Sequence, residues 1–112
     1  MVYRDGAFFC RHIDTRVHLD PKNHSNPRIL SGVYYFHTEP RGFTGGALRL
    51  YPAVSTERHR DIEPQANMLL VFPSWAPHEV LPVQCPSGTL EDSRLAINCW
   101  IRRAEHGDVT GQ

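Results

Sequence analysis

Ile29-Leu30-Ser31-Gly32-Val33-Tyr34-Tyr35-Phe36 is an unbroken run of β-branched, aromatic and small side chains, bounded upstream by Pro27 and downstream by the polar stretch 38–44. Such side chains fit a pleated surface, and the run is too short for an amphipathic helix, so it predicts a central strand buried on both faces. Runs of the same kind lie on either side of it. Upstream, residues 6–14 are aromatic-rich and led by Gly6, which predicts a strand with His12 and Asp14 on one face. Downstream, Gly45-Gly46 turns the chain into a half-buried strand over 47–51, where Leu48 and Leu50 alternate with outward residues. An edge strand over 61–64, a buried strand over 68–72, an extended segment over 79–83 and a last strong strand over 94–101 follow. With no amphipathic helical pattern anywhere, seven or eight short strands imply an all-β fold. It would close as an antiparallel barrel or a jelly roll, whose interior can hold a small ligand or a metal.

The connections carry their own signals. Residues 15–27 hold two prolines, two asparagines and several charges, a composition that competes with ladder pairing and predicts a long loop. Residues 84–92, with Gly, Pro and Ser, predict a second loop, and both are the first places to seek substrate contacts. Residues 1–103 are expected to form one core domain and 104–112 a flexible tail.

Composition narrows the classes of function. Among the 112 residues, 12 Lys and Arg balance 12 Asp and Glu, which leaves no electrostatic footprint for nucleic acid. No apolar run approaches the roughly 20 residues that cross a bilayer, and the first residues lack the apolar segment of a signal peptide. A cytoplasmic protein without a membrane partner is expected. Cys10, Cys85 and Cys99 are odd in number and widely spaced, so they predict neither disulfides nor a thiolate zinc site, but small buried apolar residues.

Two histidines and one carboxylate, leaving coordination positions open, suit a borderline metal such as Fe(II). His12-Ile13-Asp14 offers two such ligands on one strand face, and Pro77-His78 offers a histidine where a strand begins. His18-Leu19-Asp20 has the same spacing as the first pair, but it lies in the proline-bounded loop, whereas His12 and Asp14 end a Phe-Phe strand that can hold ligands rigidly. Position favours His12, Asp14 and His78. His24, His37, His59 and His106 are expected on loops or exposed surface. Arg94 emerges within an apolar strand, where a charge snorkelling off an edge is less natural amid Leu95, Ala96 and Ile97.

Taken together these stretches resemble the 2-oxoglutarate- and Fe(II)-dependent dioxygenases, in particular their prolyl-hydroxylase-like branch. The resemblance runs in order through Tyr3-x-x-Gly6-x-Phe8-Phe9-x-x-His12-x-Asp14, Arg28-Ile29-Leu30-Ser31-x-Val33-Tyr34-Tyr35 and Gly45-Gly46-Ala47-Leu48-Arg49-Leu50-Tyr51. It continues through Leu70-Val71-Phe72, His78-Glu79-Val80-Leu81-Pro82-Val83 and Arg94-Leu95-Ala96-Ile97-x-x-Trp100. It implies a double-stranded β-helix of jelly-roll or cupin-like form. It implies Fe(II) on His12, Asp14 and His78, and 2-oxoglutarate on Arg94, whose guanidinium matches a carboxylate with two parallel hydrogen bonds. Tyr3, Tyr35 and Leu48 would lie beside the co-substrate, and Asn98 and Trp100 would line the pocket.

The implied activity consumes O2 and 2-oxoglutarate, releases succinate and CO2, and hydroxylates a prolyl or other protein side chain or a small metabolite. The family's flanking N-terminal helices are missing ahead of the first strand, so an exposed sheet face is expected, covered by a partner or by a homo-oligomer contact. Two alternatives stay open: a cupin-like metal enzyme that does not use 2-oxoglutarate, and a catalytically inert metal-binding core.

Overall fold

Alternation of apolar and small residues along short extended runs leads to two facing sheets. The structure, a computed structural model, describes residues 1–14 and 28–102. The loop expected at 15–27, with His18, Asp20 and His24, and the tail with His106 lie outside the described residues.

Ten strands are described: β1 (Val2–Tyr3), β2 (Phe9–His12), β3 (Arg28–Tyr35), β4 (Thr44–Gly45), β5 (Leu48–Leu50), β6 (Arg60–Ile62), β7 (Met68–Pro73), β8 (His78–Val80), β9 (Val83–Gln84) and β10 (Arg94–Arg102). One four-stranded sheet runs β1-β10-β3-β7, a second runs β2-β8-β5-β6, and β4 pairs with β9 in a small ribbon. Every pairing is antiparallel. The described residues contain no helix, and the architecture is an all-β, jelly-roll-like core. None of its elements is a helix long and apolar enough to cross a membrane.

The core lies between the two large sheets. Val33 and Tyr35 of β3, Phe72 of β7 and Ala96 of β10 meet Leu48 of β5 and Val80 of β8, with Phe43, Val83 and Cys85 closing the ribbon end. Burying a side chain such as Leu48 contributes about 1.5–3 kcal/mol, and this inward set is what holds the sheets face to face.

Several sequence expectations need correction. β3 is central in its sheet, as predicted, but Ile29 and Phe36 are exposed, so the run is not buried on both faces. The strand predicted as buried over 68–72 is an edge strand, β7, with Leu69 and Val71 in solvent. Both errors have one cause: an apolar run shows that a sheet face can be covered, not that it is. The strand expected from residue 6 begins at Phe9, because Gly6 adopts a positive φ of 82° in a turn. Of the cysteines expected to be buried, Cys85 is, while Cys10 and Cys99 are exposed.

Candidate metal centre

His12 ends β2 and His78 begins β8, and the ladder register places them directly opposite one another. Their rings come to 4.2 Å between centroids. Two residues beyond His12, the Asp14 backbone N–H donates to the Ser74 carbonyl at 2.9 Å, which fixes where the chain leaves the strand. The Asp14 carboxylate then lies 3.3 Å from His12 Nε2 and 3.5 Å from His78 Nε2. One ligand atom from each residue falls within 4.8 Å of the others.

The imidazoles are oriented by the backbone. His12 Nδ1 is 2.8 Å from the Cys10 carbonyl, and His78 Nδ1 is 2.9 Å from the Ala76 carbonyl. A carbonyl oxygen only accepts, so each Nδ1 carries the proton and each Nε2 presents a lone pair toward Asp14. Phe9 and Phe72 flank His12 and His78, respectively. Burial pulls the His78 pKa down, with the neighbouring His12 acting in the same direction, which favours the neutral ligand form.

Asp14 is tuned oppositely. Burial alone would raise its pKa, but hydrogen bonds from Ser31 and Trp100 and the two imidazoles outweigh that and hold the carboxyl below its ordinary range. Ser31 Oγ donates to Oδ2 at 2.5 Å and Trp100 Nε1 donates to the same oxygen at 3.1 Å. Ser31 Oγ is also 2.9 Å from Ser74 Oγ, both side chains being buried. Two imidazole nitrogens and an ionised carboxylate, converging at the wall of a cavity, are a donor set that fits Fe(II) with positions left open.

That cavity has a volume of about 340 Å³ and is lined by His12, Asp14, His78, Tyr3, Leu48, Arg94, Asn98 and Trp100. Arg94 is 2 % exposed. Its Nε donates to the Gly46 carbonyl at 2.9 Å, and its guanidinium sits over the rings of Tyr3 and Tyr35 at 4.7 and 5.0 Å. Among the described residues it has no carboxylate partner. Burial lowers its pKa, with Tyr35 and Tyr3 opposing, though a guanidinium stays charged at any working pH. Gly46 makes room for it: a Cβ there would lie 2.8 Å from Arg94 Cδ, on a backbone with φ of 75°.

Eight of the nine residues singled out from the sequence for the metal, the co-substrate or the pocket thus line the cavity. Tyr35 is placed differently: it does not line the cavity but lies fully buried behind Arg94, its hydroxyl 3.4 Å from the guanidinium. Asn98 lines the cavity but is exposed and donates to the Met1 thioether, with no hydrogen bond to the three ligand residues. Sequence reasoning missed Ser31 and Ser74, although Ser31, a serine inside an otherwise apolar strand, was a usable signal. His37, expected on the surface, is 4 % exposed, with its ring edge-on to Phe43. It follows Tyr35 by two residues, and the same alternation that turns Tyr35 inward turns His37 inward. His59 is exposed, as expected.

A jelly roll with a His-Asp-His cluster at the wall of its cavity defines a class of metal-binding β-fold proteins. The sequence model of the 2OG-Fe(II) oxygenase superfamily matches residues 1–102, and the chain belongs to that family. It is 35% identical over 109 residues to an uncharacterized PKHD-type hydroxylase of Synechocystis, an alignment covering 90% of this chain and 34% of that protein. It is similar to the crystal structure of a prolyl-4-hydroxylase from Pseudomonas putida, with a TM-score of 0.64 and 32% identity over 95% of this chain and 50% of that one. The chain therefore spans about a third to a half of the length of these relatives.

Proposed function

We propose that this chain is the catalytic core of an Fe(II)- and 2-oxoglutarate-dependent hydroxylase, with His12, Asp14 and His78 as iron ligands and Arg94 as the anchor of the co-substrate's distal carboxylate. The observation that carries this reading is Arg94. An unpaired buried charge costs several kcal/mol, and a cationic fork lining the same cavity as three metal-ligand atoms is compensated by a dianion that also reaches the metal. Such a site, when loaded, couples reduction of O2 and decarboxylation of 2-oxoglutarate to succinate and CO2 with hydroxylation of a substrate C–H bond.

The chain's own residues contribute placement and charge. The Cys10 and Ala76 carbonyls aim the two imidazoles, while Ser31 and Trp100 hold one Asp14 oxygen and leave Oδ1 less encumbered. Tyr35 braces the guanidinium from behind, Tyr3 stacks on it, and Leu48 supplies a dry wall that strengthens the charge pairing. The names of the relatives support hydroxylation as the activity, of a prolyl or other protein side chain or of a small metabolite.

Anaerobic titration with Fe(II) and then 2-oxoglutarate tests the reading. The expected result is a weak visible charge-transfer band that needs both additions, and Arg94→Ala is expected to keep metal binding while losing the band at matched co-substrate concentration. Absence of the band from the unaltered chain, or substrate turnover without 2-oxoglutarate, would overturn it.

A further inference from the structure

A second concavity, of about 310 Å³, shares no lining residue with the metal cavity. Its floor is apolar, formed by Leu50, Pro73 and Ala76, and its wall is Trp75. Trp75 is 52 % exposed, and its indole N–H makes no hydrogen bond among the described residues. A large aromatic in that condition, beside an apolar floor, is the composition of an interface anchor rather than of ordinary surface.

The rim carries a charge that no described residue neutralises. Arg60 stands opposite Leu50 in the β5-β6 register, which places it on the groove side, and Arg58 lies two residues before it. Neighbouring arginines are engaged: Arg49 forms a two-pronged pair with Asp61, and Arg11 pairs with Glu57. Arg58 and Arg60 have no side-chain hydrogen bond, ion pair or ring contact among the described residues. Two unopposed cations beside an apolar floor favour an occupant with carboxylates spaced around an apolar side chain.

The groove wall is also pre-formed. The turn that carries Trp75 is closed by Ala76 N–H donating to the Pro73 carbonyl at 3.0 Å and tied to β3 by Ser74 N–H donating to the Ile29 carbonyl at 2.9 Å. The same turn supplies the Ala76 carbonyl that orients His78 and the Ser74 carbonyl that receives the Asp14 N–H. A rigid wall lowers the ordering cost of binding an extended segment.

We propose that this groove docks an acidic segment of a polypeptide, with carboxylates on Arg58 and Arg60 and an apolar side chain against Trp75 and Leu50. The site goes beyond the hydroxylase reading and stands without it.

The chain has two tryptophans, one in each concavity, and this separates the two claims. The experiment follows both indole N–H signals by NMR while an amidated nonapeptide of three Glu-Glu-Leu repeats is added, with a Lys-Lys-Leu counterpart and free glutamate as controls. The acidic peptide is expected to shift the Trp75 signal, the controls are not, and the shift should weaken as salt screens the contact. The double variant Arg58→Glu, Arg60→Glu, in exposed positions where folding is not at risk, is expected to weaken the acidic peptide at least tenfold.

Zn(II), a diamagnetic stand-in for iron, should move Trp100 and leave Trp75 in place, in the parent and the double variant alike. No Trp75 shift with the acidic peptide, an equal shift with the basic one or with free glutamate, or undiminished binding by the double variant would overturn the docking site. Failure of Zn(II) to move Trp100 would count against the metal centre alone.

Discussion

The two faces of the β1-β10-β3-β7 sheet are built from the same strands and have opposite chemistry. Along β10, Arg94 and Trp100 turn inward with Ala96 between them, while Ile97 and Ile101 turn outward. Along β3, Ser31, Val33 and Tyr35 face the interior. The register places Ile97 beside Tyr34 and Tyr34 beside Leu69, so the outer face is a continuous apolar surface on which Ile97 is 56 % and Leu69 58 % exposed. The inner face buries the Arg94 guanidinium and the Ser31 hydroxyl, which meets the Asp14 carboxylate, and the outer face leaves isoleucines in water. This inverts the usual partition, in which charges are almost never fully buried unless paired. The proposed metal and co-substrate site draws on these inward polar groups.

Arg94→Met breaks the inner face most severely. Losing the partner of a buried charge-assisted pair costs about 2–5 kcal/mol, so 2-oxoglutarate affinity should fall by two orders of magnitude or more in an anaerobic titration. The same substitution should raise the melting temperature of the metal-free chain, because an apolar isostere replaces a buried unpaired charge. A fall in both quantities would show that Arg94 is a structural residue and that the face is not inverted for binding.

Ser31→Ala is the next largest. It removes the short hydrogen bond to Asp14, and loss of a residue that orients a ligand costs roughly 10–100-fold in metal affinity. Metal titration should show that loss with the fold intact by circular dichroism, and unchanged affinity would leave Trp100 and the imidazoles as sufficient to hold the carboxylate.

How far this was legible in the sequence differs between the faces. The ligands could be read because their pattern is local: His12 and Asp14 share an alternation, and His78 is announced by Pro77 at a strand start. Arg94 was legible as a charge among apolar residues. The covering of each face was not, since Leu69 and Ile97 have the hydropathy of core residues and only the register shows that nothing among the described residues lies over them. Ser31 and Ser74 were hidden for a related reason. Their contact joins β3 to the turn after β7 and meets Asp14 just beyond the end of β2, a convergence that no single stretch encodes.

His37 extends the comparison to a buried polar group that no ligand is proposed to complete. Neither ring nitrogen has a hydrogen-bond partner, and Nε2 is 3.5 Å from Glu39 Oε2. Burial holds its pKa below the ordinary value, with Glu39 opposing and Arg41 and Arg94 assisting. A depressed histidine stays neutral in the folded chain while the unfolded chain takes up a proton below about pH 6.5. Its contribution is therefore full above that pH and lost as pH falls toward the folded pKa. His37→Phe should flatten this acid loss by on the order of 1 kcal/mol for each unit of depression, measured by urea unfolding at a series of pH values. An unchanged slope would mean that His37 is already protonated in the fold and paired with Glu39.

The smallest effect belongs to the outer face. Ile97→Lys replaces an exposed apolar side chain whose neighbours Tyr34 and Leu69 are themselves partly or largely in solvent. Substitutions of exposed residues away from special features usually stay within about 0.5 kcal/mol, so urea unfolding of this chain should barely change. The 2-oxoglutarate titration should not change either, because Ile97 and the cavity lie on opposite sides of β10. A loss of more than about 2 kcal/mol, the range of a large-to-small core substitution, would mean that another part of the same chain or a second copy already covers this face in solution.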